Sequence, residues 1–273
     1  MAVTMAEISK LRTMTGAGMM DCKNALIEAN NDFDAAIKII REKGQAVAAK
    51  RSDREASEGC VLAGANGGFA AILALKCETD FVAKNEQFIA LTQSFLDAAL
   101  ANKPADLDAL KNIIIDGRTI ETLITERIGI TGEKMELDYY EFVNDAYATF
   151  YIHPGNKLAT LVAFNKEVDH QVARDVAMQA AAMNPVSLDR ASVPASVVEG
   201  ELEVAREKAR QEGKPDNMLD KIAQGRLNKF YQESTLMEQS FIKDSKVNID
   251  QYLKSVDKDL TVTSFKRVTL NME

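Results

Sequence analysis

The chain of 273 residues contains no tryptophan, and aromatic residues make up only 6% of it. A large all-β core leans on aromatic and β-branched side chains, so an Ala-rich, partly helical protein fits this composition better. Histidine occurs twice, as His153 and His170, and neither stands in an H-x-x-x-H or H-E-x-x-H spacing. Histidine catalysis and a helical zinc site are therefore poorly provided for. The three cysteines, Cys22, Cys60 and Cys77, are widely separated and odd in number. That spacing indicates neither a zinc site nor a disulfide framework, and reduced cytosolic thiols are expected. No stretch approaches the ~18 apolar residues of a membrane span, and "MAVTMAEISKLRTMTG" lacks the apolar run of a signal peptide. A basic surplus is missing too, with 33 Lys and Arg against 41 Asp and Glu, a net charge of -8. This is the wrong sign for a protein that grips phosphate backbones, so nucleic acid is not an expected partner.

Recognisable active-site strings are also missing. A phosphate-binding loop needs glycines ahead of Lys and Ser or Thr, and no such string occurs. "GAGMMD", Gly16 to Asp21, matches a dinucleotide fingerprint for three letters only and has no strand before it, so it reads as a turn between helices. Carboxylates are abundant, but none falls in a catalytic string. Catalytic residues, metal ligands and cofactors are accordingly expected to be none.

What is present divides into textures. Residues 1 to about 44 read as three short helices. Met5, Ile8, Leu11 and Arg12 open the first, Thr15 to Gly18 breaks it, Asp21 is placed to cap the second, and Ala25, Leu26 and Ala29 face inward. The third carries Phe33, Ala36, Ile37 and Ile40 on one stripe and is expected to close at Gly44. Gln45 to Gly59 is charged and reads as an exposed linker, helical at first. "CVLAGANGGFAAILALKC" reads as a β-hairpin turning at Asn66-Gly67-Gly68. Helices follow near Thr79–Ala101, in "DLDALKNI" and in "TIETLITERIG". Three strands then run from Lys134 to Asn165, with turns at Asn144-Asp145 and Pro154-Gly155, and "DHQVARDVAMQAAAM" is a helix ended by Asn184-Pro185.

Residues 194 to 233 have coiled-coil spacing: Val198, Leu202, Ala205 and Ala209, then Leu219, Ala223, Leu227 and Phe230 after "EGKPDN". This is an antiparallel helical hairpin. A short helix, "NIDQYLKSV", and a strand, "LTVTSFKRVTL", complete the chain. The strand is expected to rejoin the sheet begun near Lys134, which makes the hairpin an insertion.

The stretch "CETDFVAKNEQF", Cys77 to Phe88, poses one question. Thr79 and Asp80 suit the start of a helix. Phe81, Phe88 and Phe95 are spaced by seven, so periodicity places all three on one buried stripe. "KNE", Lys84 to Glu86, could instead break that stripe and free the first turn.

Two strings in order, "LRTMTGAGMMDCKNALIEANNDFDAAIKIIREKG" and "CETDFVAKNEQF", resemble the bacterial elongation factor Ts family. The likeness continues through "YIHPGNKLATLVAFN", "VAMQAAAMNP" and "GKPDNMLDKIAQGRLNKF", essentially the whole chain. It implies an α+β fold: an N-terminal three-helix bundle of ubiquitin-associated type with its linker (1–54), then two subdomains with antiparallel sheets (55–140 and 141–273). A coiled-coil hairpin is inserted in the second at about 194–233. It further implies a cytoplasmic guanine-nucleotide exchange factor of translation, without covalent chemistry. Such a factor binds elongation factor Tu-GDP, displaces Mg2+ and GDP, and stabilises the nucleotide-free form until GTP binds.

By the same resemblance, Thr79, Asp80, Phe81 and Val82 would intrude beside the partner's Mg2+ site, with Phe81 as a wedge. Arg12, Met19, Met20 and His153 would make further partner contacts. For Met19 and Met20 the alternative is packing within the bundle. A homodimer or a 2:2 complex with elongation factor Tu stays open, as does the role of the hairpin. A scaffold protein is the runner-up reading, and an unrecognised enzyme the weakest. The sequence departs from the family at Asn31, where Gly is frequent, in its charged linker, and in Pro154 beside His153.

Overall fold

The structure, a computed structural model, describes residues 3–271 and mixes helices with antiparallel sheets, an α+β fold. Three helices open the chain: α1 (Met5–Thr15), α2 (Met19–Glu28) and α3 (Phe33–Lys50). A capping box starts α1, with Thr4 and Glu7 each accepting the other's backbone N–H. Gly16 ends the helix in the left-handed region at φ 71°. Asp21 does not cap α2. Gly18 holds the cap position with no side-chain acceptor, and Asp21 sits within the first turn. Its charge there still favours the positive end of the helix dipole. Asn30 and Asn31 turn the chain at φ 52° and 68°, a conformation that Asn tolerates better than most residues. Asp32 then caps α3 by accepting the N–H of Ala35 at 3.0 Å. Ile8, Leu11, Cys22, Ala25, Leu26 and Ala36 form the buried centre of the bundle.

Strands β1 (Glu58–Asn66) and β2 (Phe69–Cys77) form the expected hairpin around Gly67. Next come α4 (Asp80–Ala83), α5 (Glu86–Asn102) and α6 (Leu107–Lys111). A two-residue ladder, β3 (Ile114–Ile115) with β4 (Arg118–Thr119), leads into α7 (Ile120–Thr131) and β5 (Met135–Asn144). The ladder turns on Asp116 (φ 49°) and Gly117 (φ 77°), the two left-handed residues of a tight hairpin turn. One sheet has the order β1-β2-β5.

Gly44 does not close α3. The helix runs on to Lys50, with Gly44 buried within it. The reason lies in α7: a Cβ on Gly129 would stand 2.4 Å from the Gly44 Cα. The two helices meet backbone to backbone, and glycine is required by that approach rather than by a turn. Arg41 adds an ion pair across the same contact, its Nε 2.9 Å from Glu126.

The remaining elements are β6 (Tyr147–Ile152), β7 (Leu158–Phe164), α8 (His170–Met183), α9 (Ala195–Gln211), α10 (Leu219–Ser234), β8 (Ser240–Phe241), β9 (Asp244–Asn248), α11 (Ile249–Val256) and β10 (Val262–Thr269). The last strand rejoins the strands that follow Lys134, as expected, but β5, the first of the three, leaves them and sits beside β2. β10 pairs antiparallel with β7, from Val262 opposite Phe164 to Thr269 opposite Leu158. All seven residues of β7 are buried, as befits a central strand, and β6 and β10 supply its two neighbours. Small residues of α8, among them Ala173, Ala177 and Ala180, join Val162 and Phe164 in a core that α11 completes with Ile249 and Leu253. Between α9 and α10 the buried residues are Ala205, Ala209, Leu219, Ala223 and Leu227, while Val198, Leu202 and Phe230 are half-buried.

The described residues divide into two compact units. Of these residues, one unit holds 3–62, 73–140 and 270–271, the other 63–72 and 141–269.

Candidate functional site

The question raised by "CETDFVAKNEQF" resolves at Lys84 and Asn85. Thr79 is an N-cap, its Oγ1 accepting the N–H of Val82 at 3.4 Å, and α4 lasts a single turn. Asn85 then leaves the helical region and caps a second helix, its Oδ1 accepting from Gln87 and Phe88. The seven-residue spacing therefore counts across a break. Phe88 and Phe95 stay on the buried stripe, at 1% and 0% exposure, but Phe81 does not join them: it is 85% exposed. Two separately capped helices replace the one helix that periodicity suggested.

The turn that carries Phe81 is fastened from behind. The Thr79 backbone N–H donates to Glu133 Oε2 at 3.0 Å, and its hydroxyl donates to Glu133 Oε1 at 2.6 Å. In return, the N–H of Lys134 donates to Glu78 Oε1 at 2.7 Å. The two segments thus exchange carboxylate-to-amide bonds, which are stronger than neutral ones. Arg51 and Arg54 approach the other Glu78 oxygen at 3.6 and 3.8 Å, and Lys134 Nζ donates to the Ser52 carbonyl at 2.9 Å. The end of α3 and the chain after it are therefore tied to the same point. The Cys77 thiol donates to the Thr79 carbonyl at 3.2 Å. Burial, then the Glu133 and Glu58 charges, push that thiol up to about 12. On the exposed side, Lys84 Nζ donates to Asp80 Oδ2 at 2.7 Å, one turn away, and this bond raises the lysine's pKa.

The family resemblance pointed to Thr79, Asp80, Phe81 and Val82, which α4 and its cap hold together. Neither that resemblance nor any local pattern pointed to Glu133, Glu78 or Lys134. Glu133 stands 54 residues from Thr79, just after the Gly132 cap of α7, and no local pattern joins the two.

The other residues named from sequence lie elsewhere. Arg12 is exposed on α1, and Met19 and Met20, at 43% and 63% exposure, open α2. Met5 and Met14 are exposed as well, so Met5 does not face the core as its spacing suggested, whereas Leu11 is fully buried. His153 follows β6 in the second unit and is exposed. Its Nδ1 lies 3.2 Å from the Tyr151 hydroxyl. A cavity of about 580 Å³ opens beside the α3–α7 crossing, with Met14, Ile37, Ile40, Val47 and Ile130 on its apolar side; no residue from Thr79 to Val82 lines it. No helix among the described residues is long and apolar enough to cross a membrane.

Comparison with known proteins is consistent along the chain. A family profile described as Elongation factor TS matches residues 78–272. "Elongation factor Ts" of Porphyromonas gingivalis is 61% identical over 274 residues, covering all of both chains. "Elongation factor Ts" of Azobacteroides pseudotrichonymphae is 56% identical over 274 residues, again with both chains covered. That of Amoebophilus asiaticus is 51% identical over 273 residues, covering 98% of this chain and 99% of its own.

Proposed function

The chain belongs to the elongation factor Ts family, and from that premise we propose that it is a guanine-nucleotide exchange factor for elongation factor Tu, acting in the cytoplasm without covalent chemistry. The observation that carries this reading is Phe81, a bare aromatic 85% exposed on a turn anchored from behind. A large exposed apolar side chain on an ordered platform suits insertion into a partner.

The mechanism is one of linkage. A protein ligand expels GDP only if it binds the nucleotide-free state more tightly than the GDP state, and GDP then weakens the protein ligand by the same factor. Phe81 would enter elongation factor Tu beside its Mg2+ site, where room exists only once the ion-holding loop has moved. Asp80, Thr79 and Val82 would line the approach. Binding energy gained only in the open state then appears as faster loss of Mg2+ and GDP, and the empty form is held until GTP binds.

Arg12, Met19 and Met20 form a second contact on the bundle. Exposed methionines are adaptable apolar groups suited to a partner surface, and His153 supplies a third contact. The domain division that accompanies this reading is a ubiquitin-associated-like bundle with linker (1–54), a first subdomain (55–140) and a second (141–273), with the α9–α10 arm as an inserted coiled coil. That arm is a candidate surface for a homodimer or a 2:2 complex with elongation factor Tu, and no nucleic acid takes part.

The test is release of a fluorescent GDP analogue from elongation factor Tu at substoichiometric amounts of this protein. Burying a phenylalanine contributes about 1.5–3 kcal/mol, and each 1.4 kcal/mol is a factor of ten. Phe81→Ala should therefore lower kcat/KM by about ten- to a hundredfold with an unchanged melting temperature. Binding without accelerated release, or a Phe81→Ala variant that exchanges normally, sinks the reading.

A further inference from the structure

We propose that Glu133 is a positioning residue for exchange: its carboxylate holds Thr79 so that the single turn of α4 presents Phe81 already ordered. The inference rests on the reading above that Phe81 acts on elongation factor Tu.

The need for such a strut follows from the turn itself. α4 has four residues, too few to hold a helical conformation unaided. Phe81 is 85% exposed and brings little packing of its own. Buried Ala83 and the capped start of α5 fix the turn from one end. At the other end stands Thr79, and Glu133 accepts two bonds from it, one from the amide at 3.0 Å and one from the hydroxyl at 2.6 Å. Two acceptors on one planar group fix both the backbone and the side-chain rotamer of Thr79. The same Oγ1, so oriented, accepts the Val82 N–H that closes the turn. Glu78 and the Lys134 amide brace the pair from the opposite direction.

Were the turn loose, a partner would have to order it on insertion. That cost would fall on the step in which Phe81 enters, because pre-ordered groups escape it. Glu133 acts through Thr79 and the turn, so its contribution should disappear when the wedge is gone.

A double-mutant cycle reads this directly. Exchange on elongation factor Tu-GDP is measured for wild type, Glu133→Gln, Phe81→Ala and the double variant, with hydrogen exchange of the 80–84 amides in the free proteins. The amide of Gln keeps one acceptor oxygen where the carboxylate has two, with little change in size. Glu133→Gln should speed exchange of those amides and lower kcat/KM by about tenfold or more, the scale on which small misplacements act. In the Phe81→Ala background it should lower exchange no further. Additive losses, wild-type kcat/KM in Glu133→Gln, or unaltered protection of the 80–84 amides each overturn the proposal and leave the exchange function standing. Normal exchange by Phe81→Ala overturns both. Should Glu133→Gln fold poorly, Thr79→Val removes the hydroxyl arm, together with the Val82 cap that depends on it, keeps the backbone arm to Glu133, and enters the same cycle with the same expected outcomes.

Discussion

The α3–α7 crossing makes a sharp prediction, because its two glycines look alike in sequence and differ in space. A Cβ added at Gly129 would lie 2.4 Å from the Gly44 Cα and 3.4 Å from its N, all backbone. Carbon atoms rest at about 3.5–4.0 Å, and no rotamer change can relieve a clash with backbone, so the helices must separate. Overpacking costs about 1–3 kcal/mol, here toward the upper end. Alanine in a helix interior returns about 0.5–1 kcal/mol, leaving a net loss of about 2 kcal/mol for Gly129→Ala. A Cβ at Gly44 would meet the Gly129 Cα at 3.5 Å and the Thr125 carbonyl at 3.7 Å, ordinary contact distances. Gly44→Ala should then keep the helix-propensity gain, about 0.5–1 kcal/mol. Thermal unfolding monitored by circular dichroism decides the matter. At roughly 2–4 °C per kcal/mol for a protein of this size, Gly129→Ala should melt several degrees below wild type and Gly44→Ala at or above it. Equal midpoints, or the reverse order, would refute the crossing geometry.

Further outcomes follow from buried groups, with one exposed ion pair as their contrast. Burial raises the Cys77 thiol and the Tyr252 hydroxyl to about 12, and raises Tyr140 as well; a group raised on folding contributes stability that is lost as pH climbs from its unfolded toward its folded pKa. The urea midpoint should hold from pH 7 to 8 and fall from about pH 9 upward, and native thiols should alkylate slowly at pH 8, since all three are buried. Gln179, fully buried, donates to the Ser240 carbonyl at 3.1 Å and accepts the Ile242 N–H at 2.9 Å. Gln179→Leu strands both groups at about 1–3 kcal/mol each, and a wild-type urea midpoint would contradict that pairing. On the helical arm, Leu227→Ala should cost about 2–4 kcal/mol. Arg206→Ala, which removes an exposed 2.7 Å pair with Asp220, should cost under about 1 kcal/mol by the same denaturation measurement.

Most helices and strands were legible because their signals are local. The stripes of α1 and α3, the Asn66-Gly67-Gly68 turn and the strands β5 to β7 read from spacing and turn residues within a few positions. The misreadings have a common cause. Gly44 carries the signature of a helix end, yet its role depends on Gly129, far away in sequence. That β5 leaves β6 and β7 for the edge of β2 depends on which strand has a free edge, and that is decided by the whole sheet. Within the candidate site, Thr79 and the break at Asn85 were readable from cap chemistry. The exposure of Phe81 could not be settled by a period of seven, because the period says nothing about a helix that restarts. Glu133 was invisible, since one carboxylate among many has no pattern that names its distant partner.

The unbroken course of α3 from Phe33 to Lys50 turns chain length into an angle. One residue inserted between Ile40 and Gly44 would swing everything before it by about 100° and advance it about 1.5 Å, carrying the methionines of α2 to another bearing. An insertion within residues 51–57 would do neither. Across related lineages, length variation should therefore collect after Lys50 and be purged before it. The spacing from Asp32 to Gly44 then acts as a phase, fixed by length and indifferent to the exposed side chains along it.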